Sequence, residues 1–213
     1  MDITYLFIVL IVTTTSMVLH EFMHGLVAYW LGDDTAKANG RLTLNPLKHL
    51  DPFMSVLLPL LLAISGGPVF GGAKPVPIDT RNLKYKEWGF ALVAIAGPVT
   101  NILLAFIGFL VGHFTGLFYN PVPFWSTFVQ AWMFINMGFA IFNMIPIPPL
   151  DGSRVLYAIA PDFLRNIMAQ MERWGIMIVL VLVMIFGTAF SSFMSGAMDA
   201  ILKVFYWIVG VYI

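Results

Sequence analysis

The sequence has no cysteine and few charged residues. Without cysteine, the chain forms no disulfide, no thiolate metal site and no cysteine nucleophile. Charged residues make up 10% of its 213 residues, against roughly 25% in soluble domains. The formal net charge is zero, which gives no electrostatic basis for binding nucleic acid. The composition therefore argues against a soluble domain, a thiol-dependent enzyme and a nucleic-acid-binding protein.

Long apolar runs make up most of the sequence. Hydrophobic residues make up 60% of the chain, and runs long enough to span a bilayer recur along it. The first run carries no basic segment and no clear cleavage site, so we do not expect a removable signal peptide. These features predict a single integral membrane domain over residues 1–213, an all-α polytopic protein with about five transmembrane helices. The predicted spans are 3–31, 88–114, 124–147, 174–193 and 201–213.

Two smaller elements complete the predicted fold. The stretch Ala36–Leu44 contains Asn39-Gly40 between short flanks, a pair typical of tight turns, which predicts a small β-hairpin on the cytoplasmic side. The apolar stretch 53–65 is interrupted by Pro59 and is shorter than the roughly 20 residues that a spanning helix needs. We therefore expect a re-entrant element there.

The distribution of Lys and Arg favours the re-entrant topology. If residues 53–65 cross the bilayer, ten basic residues divide three against seven between its two sides. If the segment folds back, all ten lie on one side, as the positive-inside rule favours. This topology predicts a multi-pass protein of the cell membrane, with its N-terminus outside and most of its loops in the cytoplasm.

The first predicted span contains the sequence HEFMH. On a helix, His20 and His24 project from one face and can bind one cation. Glu21 lies about 100° further round the helix, where it can contact a water molecule on that cation without binding the cation itself. This arrangement is typical of zinc hydrolases. The alternative is two interfacial histidines beside a snorkelling glutamate, although ionisable residues inside a membrane are functional by default.

A catalytic zinc site requires a third protein ligand. The candidates are His49, His113 and Asp151. Asp151 follows the proline break in NMIPIPPLDG, where irregular backbone can turn a carboxylate inward, and in the re-entrant topology it lies on the same side of the bilayer as the histidine pair. Alternatively, Asp151 caps a helix that begins near Ser153.

Three motifs in this order resemble the site-2 proteases, a family of intramembrane zinc metalloproteases. They are HEFMH in an early span, GPVTN in a middle one and NMIPIPPLDG in a later one, and the chain is similar to the compact members that lack PDZ and CBS domains. The resemblance implies one Zn²⁺ per chain with His20, His24 and Asp151 as ligands and Glu21 as general base. It also implies that Asn101 holds substrate or stabilises the oxyanion; alternatively, Asn101 forms an interhelical hydrogen bond.

The predicted function is zinc-dependent intramembrane endopeptidase activity. The expected partners are the lipid bilayer and transmembrane protein substrates, cleaved near the cytoplasmic face. A non-catalytic metal-binding membrane protein, for transport or sensing, is the alternative, but such a protein has no need of Glu21 as a base. Two assignments stay open: Asn143 either orients Asp151 or satisfies backbone freed by the prolines, and KHLDP, with His49 and Asp51, forms either a capped turn or a second metal site.

Overall fold

The computed structural model describes residues 3–51 and 74–211, and within those ranges it contains eight α-helices and no strand. The helices are α1 (Ile3–Trp30), α2 (Thr35–Ala38), α3 (Lys86–Phe114), α4 (Pro123–Asn143), α5 (Asp151–Ile159), α6 (Asp162–Glu172), α7 (Gly175–Ile185) and α8 (Gly187–Ile208). Helix α3 is central and contacts α1, α4 and α5.

The two long helices, α1 and α3, are apolar almost throughout. Both are long and apolar enough to cross a membrane. The outer face of α1 exposes large hydrophobic side chains, among them Ile3, Phe7 and Leu10, which water would solvate poorly. Helix α1 ends before Gly32, whose φ of +102° is readily adopted only by glycine. Lipid contact therefore explains the composition of the first two predicted spans.

A hydrophobic core joins α3, α4 and α8. Its buried members are Ala105 and Phe109 of α3, Met133 and Met137 of α4, and Phe205 of α8. The indole N–H of Trp132 adds a hydrogen bond of 2.8 Å from α4 to the Leu104 carbonyl of α3. Because α4 is fixed against α3 in this way, the loop that follows α4 is delivered to the middle of α3.

The prediction of about five transmembrane helices is wrong. Among the described residues only α1 and α3 have the length and composition to cross a membrane alone, and a third span exists only if the bent pair 162–172 and 177–185 is counted as one. Helix α4 contains the amide side chains of Gln130, Asn136 and Asn143, which lower its apolar character.

The last two predicted spans also differ from the observed helices. The apolar stretch 174–193 divides at Phe186 into α7 and α8, so the hydrophobic run does not form one continuous helix. The stretch 201–213 is mostly the final part of α8, which also carries the charged residues Asp199 and Lys203. The predicted re-entrant element at 53–65 lies outside the described residues.

The predicted β-hairpin at 36–44 is wrong as well. Residues Thr35–Ala38 form the short helix α2, and Asn39-Gly40 ends it. The Gly40 amide donates to the Lys37 carbonyl at 3.0 Å and the Arg41 amide donates to the Ala36 carbonyl at 2.8 Å, while Gly40 has a φ of +62°. These two bonds form a Schellman motif, which needs a left-handed glycine just as a hairpin turn does.

Candidate metal centre

His20 and His24 lie one helical turn apart on the face of α1 that packs against α3. Each is only 6% exposed, and their Nε2 atoms are 2.9 Å apart. Glu21 projects beside them, and one ligand atom from each of the three residues lies within 4.8 Å of the others. The helical spacing therefore gathers two imidazoles and a carboxylate within one turn of α1.

Asp151 approaches the same point from the first residue of α5. Its Oδ2 atom is 3.1 Å from His20 Nε2 and 3.4 Å from His24 Nε2. No side chain caps the N-terminus of α5, so the carboxylate faces the histidines instead of serving as the helix cap. The positive end of the helix dipole favours a carboxylate at this position.

Gly152 allows the turn that delivers Asp151. A Cβ atom at Gly152 would lie 2.2 Å from the Met144 carbonyl oxygen at the end of α4, far inside van der Waals contact. The start of α5 therefore packs directly on the backbone that leaves α4, and only glycine permits this approach.

Both imidazoles are oriented by acceptors on α3. His20 Nδ1–H donates to the Asn101 side-chain oxygen at 2.5 Å, and His24 Nδ1–H donates to the Val93 carbonyl at 2.7 Å. Since both partners are acceptors, the proton of each neutral ring lies on Nδ1 and the Nε2 lone pair faces the other histidine and Asp151. Such hydrogen bonds fix the tautomer and ring orientation of metal-binding histidines.

This donor set fits a zinc ion. Three acceptor atoms separated by 2.9–3.4 Å repel one another unless a cation lies among them. Tetrahedral zinc with bonds of about 2.0–2.1 Å would separate adjacent ligands by about 3.3 Å. Gly97 of α3 leaves room for the ion, because a Cβ atom there would lie 2.5 Å from His20 Nε2 and 2.6 Å from His24 Nε2.

Glu21 is held by a backbone amide from a distant part of the chain. Its Oε2 atom accepts a hydrogen bond of 2.8 Å from the Val76 N–H. The Val76 side chain is buried, and a Cβ atom at Gly25, four residues after Glu21, would lie 3.2 Å from Val76 Cγ1. The segment around Val76 therefore packs on α1 beside the histidine pair.

The other polar candidates have their contacts elsewhere. Asn143 donates from its amide nitrogen to the Phe139 carbonyl of its own helix at 3.0 Å. His49 is buried, and its Nε2 atom lies 2.8 Å from the Thr43 carbonyl. His113 lies at the end of α3 with its Nδ1 atom 3.3 Å from the Tyr119 hydroxyl.

Sequence reasoning missed Asn136 on α4. This residue is fully buried, and its side-chain oxygen accepts a hydrogen bond of 2.8 Å from the Asn101 amide nitrogen. Its own amide nitrogen donates to the Trp132 carbonyl at 2.8 Å. A chain of contacts thus runs from Asn136 through Asn101 to His20. The available signal was an amide in the middle of an apolar helix, since intramembrane polar residues usually have a partner.

Comparisons with known proteins show which family this chain resembles. The family model described as peptidase family M50 matches residues 120–186, which include Asp151. The chain is 41% identical over 213 aligned residues to "Putative zinc metalloprotease YwhC" of Bacillus subtilis, with 94% of this chain and 90% of that protein covered. No solved structure gives a significant match.

More distant relatives carry the same description. The chain is 35% identical to "Putative zinc metalloprotease Rip2" of Mycolicibacterium smegmatis, covering 78% of this chain and 62% of the relative. It is 31% identical to "Putative zinc metalloprotease MJ0611" of Methanocaldococcus jannaschii, covering 69% and 68%. The resemblance seen in the three sequence motifs is confirmed, and the chain belongs to peptidase family M50, the site-2 protease family of zinc metalloproteases.

Proposed function

We propose that this protein is an intramembrane zinc endopeptidase that cleaves membrane-anchored proteins near the cytoplasmic face. One zinc ion per chain is held by His20, His24 and Asp151. The observation that carries this proposal is that the Nε2 atoms of His20 and His24 and the Oδ2 atom of Asp151 lie within 3.4 Å of one another. The histidines belong to α1 and Asp151 to α5, and His20 and Asp151 are 131 residues apart in sequence. Both imidazoles have their other nitrogen tied to α3, which leaves their lone pairs for the metal.

Glu21 is the general base in this proposal. Zinc bound at such a site acts as a Lewis acid that makes a water molecule easier to deprotonate and polarises a peptide carbonyl. The Glu21 carboxylate lies beside the two histidines, accepts the proton of the attacking water and transfers it to the departing amine. Its Oε2 atom accepts the Val76 amide, and we assign the proton transfer to Oε1.

Asn101 acts in this proposal by orienting His20. Its side-chain oxygen receives the His20 Nδ1–H, and one hydrogen of its amide nitrogen is donated to Asn136. Its complete burial supports a positioning role over a first contact with substrate. Stabilisation of the oxyanion by the remaining amide hydrogen stays a prediction from the family resemblance.

An apolar cavity bordered by the loop that leads to Asp151 supports a transmembrane substrate. Its volume is about 670 Å³, and it lies between α3, the loop after α4, and helices α7 and α8. Two lining residues, Pro98 and Leu150, adjoin Gly97 and Asp151 in sequence. A cavity with such walls favours aliphatic side chains of a membrane segment over a soluble peptide. The lining includes Pro98, Ile102, Ile141, Leu150, Leu182 and Phe186.

We also propose a multi-pass arrangement in the cell membrane with the N-terminus outside. The support is the exposed apolar surface of α1 and the excess of Lys and Arg in the loops assigned to the cytoplasm. In this orientation the HEFMH turn and Asp151 both lie toward the cytoplasmic half of the bilayer.

The test compares the unmutated protein with Glu21→Gln on candidate single-span substrates in liposomes. We expect the unmutated protein to cut within or beside the transmembrane segment, and a zinc chelator to stop the reaction. Glu21→Gln should lower the rate by roughly 10²–10⁴-fold and keep its zinc, because glutamine retains the shape but not the basicity. Undiminished cleavage by Glu21→Gln would refute the proposed role of Glu21, and failure of the chelator to inhibit would refute zinc dependence.

A further inference from the structure

Residues 74–79, which we name the strap, have no regular secondary structure and pass beside Glu21 of α1. The strap contains Pro75 and Pro77, which have no amide hydrogen. Val76 is therefore the one backbone donor in the stretch 75–77, and the proline after it restricts it to an extended conformation. Its amide donates to Glu21 Oε2 at 2.8 Å. The proline spacing thus isolates a single N–H and directs it at the candidate general base.

Arg41 fixes the first end of the strap. Its Nη2 atom donates to the Lys74 carbonyl at 2.7 Å and to the Pro75 carbonyl at 3.4 Å. The side chain is 8% exposed, and within residues 3–51 and 74–211 it forms no ion pair with a carboxylate. Burying a guanidinium is costly, so a buried arginine whose hydrogen bonds go to two carbonyls of the strap indicates a positioning role.

Asp33 fixes the other end of the strap. This residue is fully buried just after α1, and its Oδ2 atom accepts the Asp79 amide at 2.8 Å. Its Oδ1 atom accepts from the Thr35 amide at 3.1 Å, from the Thr35 hydroxyl at 2.5 Å and from the Asn82 side chain at 3.2 Å. The bond from Asp79 holds the end of the strap against the end of α1, and the other three fix the Asp33 carboxylate that accepts it.

We propose that Arg41 and Asp33 are positioning residues for Glu21. By fixing the strap at both ends, they keep the Val76 amide against Glu21 Oε2, so that the carboxylate stays beside the histidine pair and Oε1 serves for proton transfer. This inference rests on the proposed function, because it assumes that Glu21 is the base. The strap is far from the proposed metal ligands in sequence, yet this inference gives it an effect on catalysis.

The first experiment separates the Val76 amide from the Val76 side chain. Val76→Pro removes the N–H in a segment already suited to proline, whereas Val76→Ala keeps the N–H and removes most of the packing. We expect Val76→Pro to lower kcat roughly 10- to 100-fold, the loss of one charge-assisted hydrogen bond, with KM and zinc content unchanged. Val76→Ala should keep most of kcat. Equal losses in the two variants, or full activity of Val76→Pro, would overturn the proposal.

The second experiment tests the two ends of the strap. Arg41→Met and Asp33→Ala should each lower kcat and leave zinc content unchanged, and Arg41→Lys should recover part of the loss because lysine can still donate to a carbonyl. The matched control is Lys37→Met, which removes an equal charge from an exposed neighbour whose ammonium contacts Tyr29. If Arg41→Met retains the kcat of the Lys37→Met control, Arg41 has no positioning role.

Hydrogen–deuterium exchange gives a readout that does not depend on proteolysis. A peptide covering the strap reports the amides of Lys74, Val76, Ile78 and Asp79, since the two prolines contribute none. Exchange should quicken in Arg41→Met, in Asp33→Ala and in Glu21→Ala, which removes the acceptor without changing the strap. Unchanged exchange in Glu21→Ala would show that the Val76 amide is not bonded to Glu21. If exchange responds but Glu21→Gln still cleaves at the full rate, the proposed function fails while the strap contact stands.

Discussion

Replacing Gly97 with alanine should strongly weaken zinc binding without unfolding the protein. The added Cβ would lie 2.5 Å from His20 Nε2 and 2.6 Å from His24 Nε2, whereas an ordinary carbon contact is about 3.5 Å. Relieving the clash requires the imidazoles or α3 to move by about 1 Å. Zinc–ligand distances tolerate only about 0.2 Å. We therefore expect zinc affinity to fall by more than roughly 100-fold, beyond the usual effect of losing one residue that supports a ligand.

The assay is zinc titration of the purified protein in detergent, with far-ultraviolet circular dichroism to follow the helices. Gly138→Ala on α4 is the matched control, because among residues 3–51 and 74–211 its Cβ would meet only Met198 Cε, at an ordinary 3.4 Å. Alanine there should stabilise the helix by about 0.5–1 kcal/mol and leave zinc binding unchanged. If Gly97→Ala binds zinc as tightly as Gly138→Ala, the two histidines and α3 do not enclose the metal as described.

Two other perturbations test the surroundings of the site. Asn101→Leu should lower zinc affinity roughly 10- to 100-fold by releasing His20. Asn143→Leu, which loses a bond to the Phe139 carbonyl within α4, should bind zinc normally in the same titration. Burial raises the pKa of Asp33, but hydrogen bonds from Thr35 and the Asp79 amide outweigh burial and hold the pKa below its ordinary value of 3.8. The stability that these bonds contribute is complete above pH 3.8 and is lost as the pH falls through the lower folded-state pKa. Thermal unfolding should therefore show a weaker acid dependence below that pH in Asp33→Asn, and an identical dependence would contradict the contribution of Asp33.

The contacts within α1 follow from sequence, whereas those between helices do not. A spacing of four residues places His20 and His24 on one face of any α-helix, so their approach is a local property. The contact of His20 with Asn101 depends on how deeply and at what rotation α3 packs on α1. Gly97 sets that depth, and hydrophobic periodicity carries no information about it. Asn136 was missed for the same reason, because its partner lies on another helix.

The two errors in the fold have physical causes of the same kind. Asn39-Gly40 supplies left-handed backbone, which a hairpin turn and the C-terminus of a helix both use. The hydrogen bonds to the Ala36 and Lys37 carbonyls show that here it ends a helix. The hydrophobic stretch 174–193 reads as one span by composition, yet its helix breaks at Phe186. Apolar composition measures the preference for lipid and does not locate such a break.

The central claim is that one metal ion is shared by α1 and the start of α5. Crystallography of the zinc-loaded protein, with anomalous scattering recorded at the zinc edge, tests this claim directly. We predict a single strong peak at bonding distance, about 2.0–2.1 Å, from the Nε2 atoms of His20 and His24 and from a carboxylate oxygen of Asp151. A peak bound by other residues, or one with Asp151 several ångströms away, would contradict it.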